Sequence, residues 1–337
     1  MLSALTRKQK FETWLAHSFP NEEINIIPLS GDAGFRVYYR LILAETSYIV
    51  VDAPPEKLNN LAFVSLAQCF RASGLVVPEI IHYDEINGFM CLSDFGDTLL
   101  SDQLNKSTIT ALYEKAIKLL PKVQQTSAQE QWPLPIYDAP FLQLEMEIFS
   151  EWLVIKHLNI TLTRDEEKQL QQCFDLLTAS ALEQPQVTVH RDFHSRNLML
   201  IDNGGIAVID FQDAVTGPTT YDLVSLLRDC YVRWDDELIE PHIRTYYLNN
   251  TIEVSYQQFK RWFDLMGLQR HIKASGIFAR LYHRDNKPGY LQDIPLTLSY
   301  IIDIAARYPE LTFLSDLVKS KIMPSVTKLS YQPEVKI

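Results

Sequence analysis

One stretch of the chain, residues 187–213, restricts the possible folds more than any other. Three short apolar segments, at residues 188–189, 198–201 and 206–209, are separated by a polar loop and by the turn sequence Asp-Asn-Gly-Gly at positions 202–205. An Asn-Gly turn between β-branched residues is a strong hairpin signal. The stretch therefore predicts a strand, a polar loop and a hairpin, with polar side chains gathered at the strand ends.

Three polar residues in this stretch have the spacing of a phosphoryl-transfer site. Asp192 lies in the loop, Asn197 follows five residues later, and Asp210 comes thirteen residues after that, at the end of an apolar segment. The Asp210 carboxylate, at the end of a buried strand, needs a partner, because burying it unpaired costs on the order of several kcal/mol. Magnesium prefers hard oxygen ligands, usually one or two carboxylates or amides plus substrate phosphates. We predict that Asn197 and Asp210 bind Mg²⁺ and that Asp192 orients the attacking hydroxyl and accepts its proton.

Periodicity divides the chain into a sheet-forming part and a longer helical part. The spacing of apolar residues predicts helices at 6–19, 56–73, 108–125, 163–181, 219–231, 259–268, 271–282 and 296–304, and strands at 24–29, 36–43, 48–52, 80–83 and 89–92. We expect an α+β fold of two lobes. A small antiparallel-sheet lobe takes residues 1–93, a linker takes 94–100, and a larger, mostly helical lobe takes 101–337.

Composition excludes several classes of protein. Acidic residues exceed basic ones, 42 to 31, which disfavours a sequence-independent nucleic-acid binder. The four cysteines are far apart and form no Cys-x-x-Cys pair, so we expect buried, reduced thiols and no zinc site. The N-terminus lacks the apolar segment of a signal peptide, and no run reaches the length of a membrane span. We predict a cytoplasmic protein with neither a membrane nor a nucleic acid as partner.

The motifs resemble the aminoglycoside phosphotransferase and choline kinase branch of the protein-kinase-like fold. The resemblance is carried by His-Arg-Asp-Phe-His-Ser-Arg-Asn at 190–197, Ile-Asp-Phe at 209–211 and Gly-Pro-Thr-Thr-Tyr-Asp-Leu at 217–223. In that branch the catalytic loop reads H-G-D-x-x-x-x-N and the metal strand ends in I-D-W or I-D-F. The resemblance extends over both lobes and implies ATP and Mg²⁺ as cofactors, with His190 and Asp222 supporting the catalytic loop.

Within that branch, residues 210–229, 52–55 and 284–290 are similar to bacterial kinases that phosphorylate N-acetylmuramate and N-acetylglucosamine at the anomeric hydroxyl in cell-wall recycling. This resemblance implies ATP and a small amino sugar as binding partners. Muramate carries a carboxylate, which favours a bidentate arginine. The candidates are Arg228, Arg233, Arg280 and Arg284. Two alternatives stay open: a kinase of this fold acting on an aminoglycoside, choline or homoserine, and a kinase-fold binding protein without catalysis.

A loop with two glycines between the first two strands is the candidate nucleotide-binding loop. Its glycines permit close approach of the backbone to a ligand, and successive N–H groups in such a turn can hold phosphate oxygens. A plain hairpin is the commoner explanation of such a loop. If the loop binds nucleotide, the contacts come from Ser30, Gly31, Ala33, Gly34, Phe35 and Arg36.

Three features depart from the kinase pattern. Asp-Phe-Gly at 94–96 matches a magnesium motif of protein kinases but precedes the catalytic loop by almost a hundred residues, so Asp94 is not predicted to bind metal. Ser93 and Asp94 could instead offer backbone groups to an adenine edge, although a plain linker explains them equally well. In the catalytic-loop motif, Arg191 stands where kinases of this branch usually have glycine. The third strand has no lysine for the α- and β-phosphates, and Arg36 or Arg40 could point into the same space.

Overall fold

The computed structural model describes residues 6–29, 35–202 and 204–330. Within them the chain forms two compact units. The first contains the described residues of Met1–Asn105, Pro121–Leu134 and Arg196–Asp213, and the second those of Lys106–Leu120, Pro135–Ser195 and Ala214–Ile337. The first unit therefore includes the predicted sheet lobe and linker, and also the segment that carries Asn197 and Asp210.

A five-stranded antiparallel sheet forms the centre of the first unit, as predicted, with the spatial order β1-β2-β3-β5-β4. Every strand agrees with its predicted segment to within one residue at each end. The strands are β1 Asn25–Pro28, β2 Val37–Ile42, β3 Ser47–Asp52, β4 Ile80–Asp84 and β5 Phe89–Ser93.

One face of this sheet packs against helix α1, Arg7–Ser18. Successive side chains of a strand point to opposite faces. Alternate strand residues therefore share one buried cluster with α1, formed by Phe11, Leu15, Leu41, Val50, Phe89 and Cys91.

Helix α2, Asn60–Ala72, begins later than the predicted residue 56. The carbonyl of Pro54 accepts hydrogen bonds from the N–H groups of both Lys57 and Leu58, which closes a turn before the helix. The helix then starts where the side chain of Asn59 caps it.

The strands on each side of the polar loop along the chain belong to two short strand pairs, one in each unit. The predicted hairpin is confirmed as β7, Leu198–Leu200, paired with β8, Ile206–Val208. The strand before the loop, β6 Gln186–Val189, pairs antiparallel with β9, Val215–Pro218. Gly217-Pro218 ends β9, which is an edge strand of a two-stranded sheet and therefore tolerates proline.

The second unit is mostly helical, as predicted. The single helix predicted at 108–125 is wrong, because two helices form and Pro121, in the first turn of the second, cannot donate to an i−4 carbonyl. In chain order the helices after α2 are α3 Leu100–Gln103, α4 Ile109–Ile117, α5 Leu120–Gln124, α6 Ala139–Ile148, α7 Arg164–Leu182, α8 Tyr221–Leu227, α9 Asp236–Asn249, α10 Tyr256–Asp285, α11 Ile294–Ala305, α12 Thr312–Leu317 and α13 Met323–Ser330. Of these, α3 and most of α5 belong to the first unit, and the other helices belong to the second. Single turns of 3₁₀ helix and two π-helical stretches, Phe149–His157 and Val318–Ile322, connect some of them.

Helix α10 is the central element of this unit. Two helices were predicted here, but residues 269–270 are Gln-Arg, neither of which breaks a helix, and one helix of 30 residues results. It crosses the junction of α6 and the first π-helical stretch at Gly276, where an added Cβ would lie 2.5 Å from the backbone nitrogen of Phe149. Of the helices in the described part of the chain, none is long and apolar enough to cross a membrane.

Candidate active site

The loop after β6 carries Asp192 and is held by backbone hydrogen bonds to Asp222. The two carboxylate oxygens of Asp222 accept from the N–H groups of His190, at 2.7 Å, and Arg191, at 3.0 Å. Arg191 has a left-handed backbone with φ of 75°. Burial raises the pKa of Asp222 to about 7, while the two N–H donors act to lower it. Asp222 thus holds the backbone of the loop that carries Asp192, and His190 is fully buried.

A second carboxylate, Asp229, holds the other end of this loop. It accepts from both the backbone N–H of Ser195, at 3.0 Å, and the Ser195 hydroxyl, at 2.5 Å. Asp229 was not identified from the sequence. The available signal was its position seven residues after Asp222, just beyond the end of α8 at Leu227.

Asp192 lies among positive charges that keep it ionised. Burial acts to raise its pKa, but Lys273, His194, Arg191 and Arg270 act in the opposite direction, and the pKa falls below the ordinary range of an aspartate. Arg270 and Lys273 are one turn apart on α10. At neutral pH Asp192 is therefore a carboxylate that can accept a proton.

Asn197 and Asp210 lie next to each other within the first unit. The Asn197 amide nitrogen is 3.4 Å from Asp210 Oδ2, and the backbone N–H of Ile209 donates to the Asn197 carbonyl at 3.0 Å. Asp210 has a φ of 63°, and Gln212 donates to its Oδ1. One amide and one carboxylate are hard donors of the kind that Mg²⁺ prefers, so this pair fits the metal implied by the sequence.

Phe211, next to Asp210, anchors this segment to α2. Its ring is stacked on Phe63 at 5.0 Å between centroids and meets the edge of Phe70 at 5.6 Å. Phe211 is fully buried. The chain next to Asp210 is thus held against α2 by the packing of Phe211 on two aromatic rings.

The predicted nucleotide-binding residues lie partly outside the described residues, as Ser30, Gly31, Ala33 and Gly34 do. Phe35 is exposed, and the Lys57 ammonium lies 4.5 Å from its ring centre. Ser93 forms backbone and side-chain hydrogen bonds with the backbone of Glu79.

The two candidate phosphate-binding arginines have different surroundings. Arg40 is paired with the carboxylate of Asp94 at 2.7 Å and with Asp97 at 2.8 Å. Arg36 has its guanidinium 5.3 Å from the centre of the Phe63 ring, and within the described residues its buried Nε has no hydrogen-bond partner. Arg40 is therefore neutralised by aspartates, whereas Arg36 makes no ion pair with any described residue.

Three of the four arginines predicted to bind a substrate carboxylate are already in ion pairs. Arg228 pairs with Asp264 at 2.6 Å in a site where both side chains are buried. Arg233 binds Asp303, and Arg284 binds the adjacent Asp285. Arg280 alone among the four has no ion pair in the described part of the chain, and its buried Nε lacks a hydrogen-bond partner there.

A network that sequence reasoning missed joins α6, α10 and the catalytic loop. Its centre is Glu145, which is 4% exposed. The Glu145 carboxylate binds Arg191, lies 2.9 Å from the Lys273 ammonium, and accepts from the Tyr137 hydroxyl. Gln269 donates to the same hydroxyl at 2.8 Å. The network joins three separate segments of the chain, at 137–145, 191 and 269–273, and no local pattern connects them.

Comparison with known proteins identifies similar sequences along most of the chain. The model of a family described as "Phosphotransferase enzyme family" matches residues 25–257. A protein of Pseudomonas aeruginosa named N-acetylmuramate/N-acetylglucosamine kinase is 38% identical over 330 residues, covering 93% of this chain and 96% of the relative. A protein of the same name from Neisseria meningitidis is 37% identical, with the same coverage of both chains.

Solved structures are similar in fold. The choline kinase LicA from Streptococcus pneumoniae gives a TM-score of 0.63 at 13% identity, covering 89% of this chain and 100% of that one. The ADP-bound aminoglycoside phosphotransferase APH(2'')-Ib gives 0.57 at 13% identity, covering 86% and 97%. The predicted α+β kinase-like fold is thereby confirmed.

Proposed function

The chain belongs to the phosphotransferase enzyme family, and from that premise we propose that it transfers the γ-phosphoryl group of ATP to the anomeric hydroxyl of N-acetylmuramate and N-acetylglucosamine. The names and coverage of the relatives support the acceptor. The observation that carries the reaction type is the ionised Asp192 in a loop held by Asp222 and Asp229. Because the donor is ATP and the cysteines are free thiols, we also propose a cytoplasmic location.

In the proposed reaction, Asp192 accepts a hydrogen bond from the acceptor hydroxyl and orients its oxygen toward the γ-phosphorus. The O–P bond forms as the bond to ADP breaks, and the hydroxyl proton passes to Asp192 late in the step. An anomeric hydroxyl is more acidic than an ordinary alcohol, so positioning supplies most of the rate enhancement. Asn197 and Asp210 would hold Mg²⁺, which neutralises charge on the nucleotide phosphates when it is bound.

The substrate assignment is tested with a panel of acceptors. The protein is incubated with ATP and MgCl₂ and with N-acetylmuramate, N-acetylglucosamine, choline, kanamycin or homoserine in turn, and ADP release is followed. Phosphorus NMR then identifies the product. ADP release with the two amino sugars, and a sugar 1-phosphate as product, is the expected result. Release with another acceptor would replace the substrate assignment, and release with none would favour a binding protein.

We infer that Arg36 contacts the nucleotide phosphates in place of the third-strand lysine. Its Nε is buried without a hydrogen-bond partner among the described residues, and it makes no ion pair there. Arg40, the other candidate, is already bound by Asp94 and Asp97. A cation that has no ion pair with a described residue, and that directly follows the candidate phosphate-binding loop in the sequence, is suited to an anionic ligand.

Replacing Arg36 with methionine is expected to raise KM for ATP by roughly 10- to 100-fold, because one charge-assisted contact contributes about 1.5–3 kcal/mol. The KM for the sugar should change little. The control is Arg71→Met, which removes a half-exposed arginine paired with Glu79 in the same unit. Steady-state kinetics with each substrate varied in turn measures both constants. An unchanged KM for ATP in Arg36→Met would exclude this role.

For the muramate carboxylate we propose Arg280, the candidate that has no ion pair with the described residues. It lies two helical turns after Lys273 on the same side of α10, and Lys273 acts on Asp192. The pKa of Arg280 is lowered, first by burial and then by Arg284, while Asp285, Glu145 and Glu151 act to raise it. A substrate carboxylate would give this partly buried guanidinium a directly paired counter-charge.

Arg280→Met is expected to raise KM for N-acetylmuramate by about 10-fold while leaving KM for N-acetylglucosamine within about 2-fold, because only muramate has the carboxylate. Arg284→Met is the matched control, since Arg284 lies one turn further along α10 and is paired with Asp285. Kinetics with the two sugars measures the selectivity. Equal changes for both sugars would contradict the assignment.

A further inference from the structure

Glu145 is a buried carboxylate that no part of the proposed reaction uses directly. It lies on α6, is 4% exposed, and binds two cations at once. One is Arg191, the residue immediately before Asp192, and the other is Lys273 at 2.9 Å. Burial acts to raise the pKa of Glu145, but Lys273 and Arg191 outweigh it and lower the pKa. Glu145 is therefore ionised and is a carboxylate partner of both cations.

Both cations also act on Asp192. Lys273 is the strongest of the charges that lower its pKa, and Arg191 and Arg270 act in the same direction. Buried charges must be paired, because an isolated one is strongly disfavoured. Lys273 can satisfy this requirement with Glu145 or with Asp192. A direct pair with Asp192 would occupy the carboxylate oxygen that the acceptor hydroxyl needs.

We propose that Glu145 is a positioning residue for phosphoryl transfer, which holds Lys273 and Arg191 beside Asp192 and keeps Lys273 from closing on it. The proposal rests on the proposed function, because Asp192 must be the group that orients the acceptor. The Tyr137 hydroxyl, which donates to Glu145 and accepts from Gln269, fixes the second carboxylate oxygen and leaves the first for the cations. The Lys273 ammonium is also 3.3 Å from the Tyr221 hydroxyl, which holds it from a second side.

The test begins with Glu145→Gln, which removes the charge and keeps the shape of the side chain. We expect kcat to fall by roughly 30-fold with both sugars alike, while KM for ATP stays within about 2-fold. Glu147→Gln on the same helix is the control, since Glu147 is exposed. Thermal melting is measured for each variant. If Glu145→Gln does not fold, Glu145→Asp, which keeps the charge, must lose less activity than Glu145→Ala.

A double variant separates positioning from simple damage to the core. Glu145→Gln/Lys273→Met removes both the restraint and the cation that it restrains. We expect its kcat to recover at least about 3-fold relative to Glu145→Gln, because no ammonium is left to occupy Asp192. Independent damage at the two positions would instead give losses that multiply, and that result would overturn the proposal.

The pH profile provides a readout that structural damage would not move in a set direction. The charged groups acting around Asp192 are Arg191, His194, Arg270 and Lys273, with Asp222 opposing them. In Glu145→Gln the uncompensated Lys273 stabilises the Asp192 carboxylate further, so the acidic limb of kcat should move to lower pH. In Lys273→Met it should move to higher pH. If the acidic limb of the kcat profile stays at its wild-type pH in both variants, the proposal is contradicted. Wild-type protein that phosphorylates neither sugar would contradict the proposed function instead.

Discussion

Replacing Asp192 with asparagine is expected to lower kcat by roughly 10³-fold, which is the size of effect that loss of a positioned proton acceptor produces. An asparagine amide cannot take the hydroxyl proton, and its NH₂ group would donate to the acceptor oxygen instead of orienting its lone pair. The KM for ATP should stay within about 2-fold, because Asp192 is not proposed to contact the nucleotide. Steady-state kinetics and nucleotide titration by calorimetry measure the two effects separately.

The control for this variant is Asp202→Asn, because Asp202 is exposed in the hairpin turn and asparagine suits turns equally well. A rate for Asp192→Asn within about 10-fold of wild type would remove Asp192 from its role. The wild-type pH profile gives an independent check. Since the cations around Asp192 lower its pKa, activity should persist as pH falls and decline only below the ordinary carboxyl range of about 4. An acidic limb near neutral pH would point to another titrating group, either a different proton acceptor or Asp222, whose pKa is raised to about 7.

Local sequence signals were sufficient for the sheet and for the polar loop. Each strand of the five-stranded sheet is a short segment of mostly apolar and aromatic residues between turn or loop residues, and the structure places every strand within one residue of its prediction. The Asn-Gly turn at 203–204 likewise predicts the β7–β8 hairpin. These features depend on neighbours in the chain, so a single sequence contains the information that specifies them.

Helix boundaries were less predictable, because competing local signals decide them. In α10 the apolar pattern shifts near residue 269, which predicts two helices, although no residue there breaks the backbone hydrogen bonds. In α2 the start is set by the Asn59 cap after a turn that Pro54 initiates. Periodicity identifies the buried face of a helix, whereas the cap determines where the helix begins.

The charge pairs could not be predicted, because they join residues far apart in the chain. Arg40 and Asp94 are separated by 54 residues, and Arg191 and Glu145 by 46. The sequence presented Arg40 as a candidate for nucleotide phosphate and did not single out Glu145 at all. Only the folded chain shows which basic residues have carboxylate partners, and the proposals for Arg36, Arg280 and Glu145 depend on that distinction.

The second large effect is expected at the candidate metal site formed by Asn197 and Asp210. Replacing Asp210 with alanine should weaken nucleotide binding in the presence of MgCl₂ by at least about 100-fold and leave metal-free binding within about 2-fold, because one of two proposed metal ligands is lost. Calorimetric titration of ADP with and without MgCl₂ measures this directly. Turnover should fall at least as far as nucleotide binding does.

Alanine at position 210 also affects the backbone conformation, and the experiment must separate this effect from the loss of a metal ligand. Asp210 has a φ of 63°, a left-handed conformation that asparagine adopts more readily than alanine. Asp210→Asn therefore keeps the backbone geometry and can still accept from Gln212, while it removes the negative charge that favours Mg²⁺. If Asp210 holds the metal, both variants lose the magnesium-dependent part of binding, and only Asp210→Ala also loses thermal stability. Magnesium-dependent binding that survives in Asp210→Asn would place the metal elsewhere.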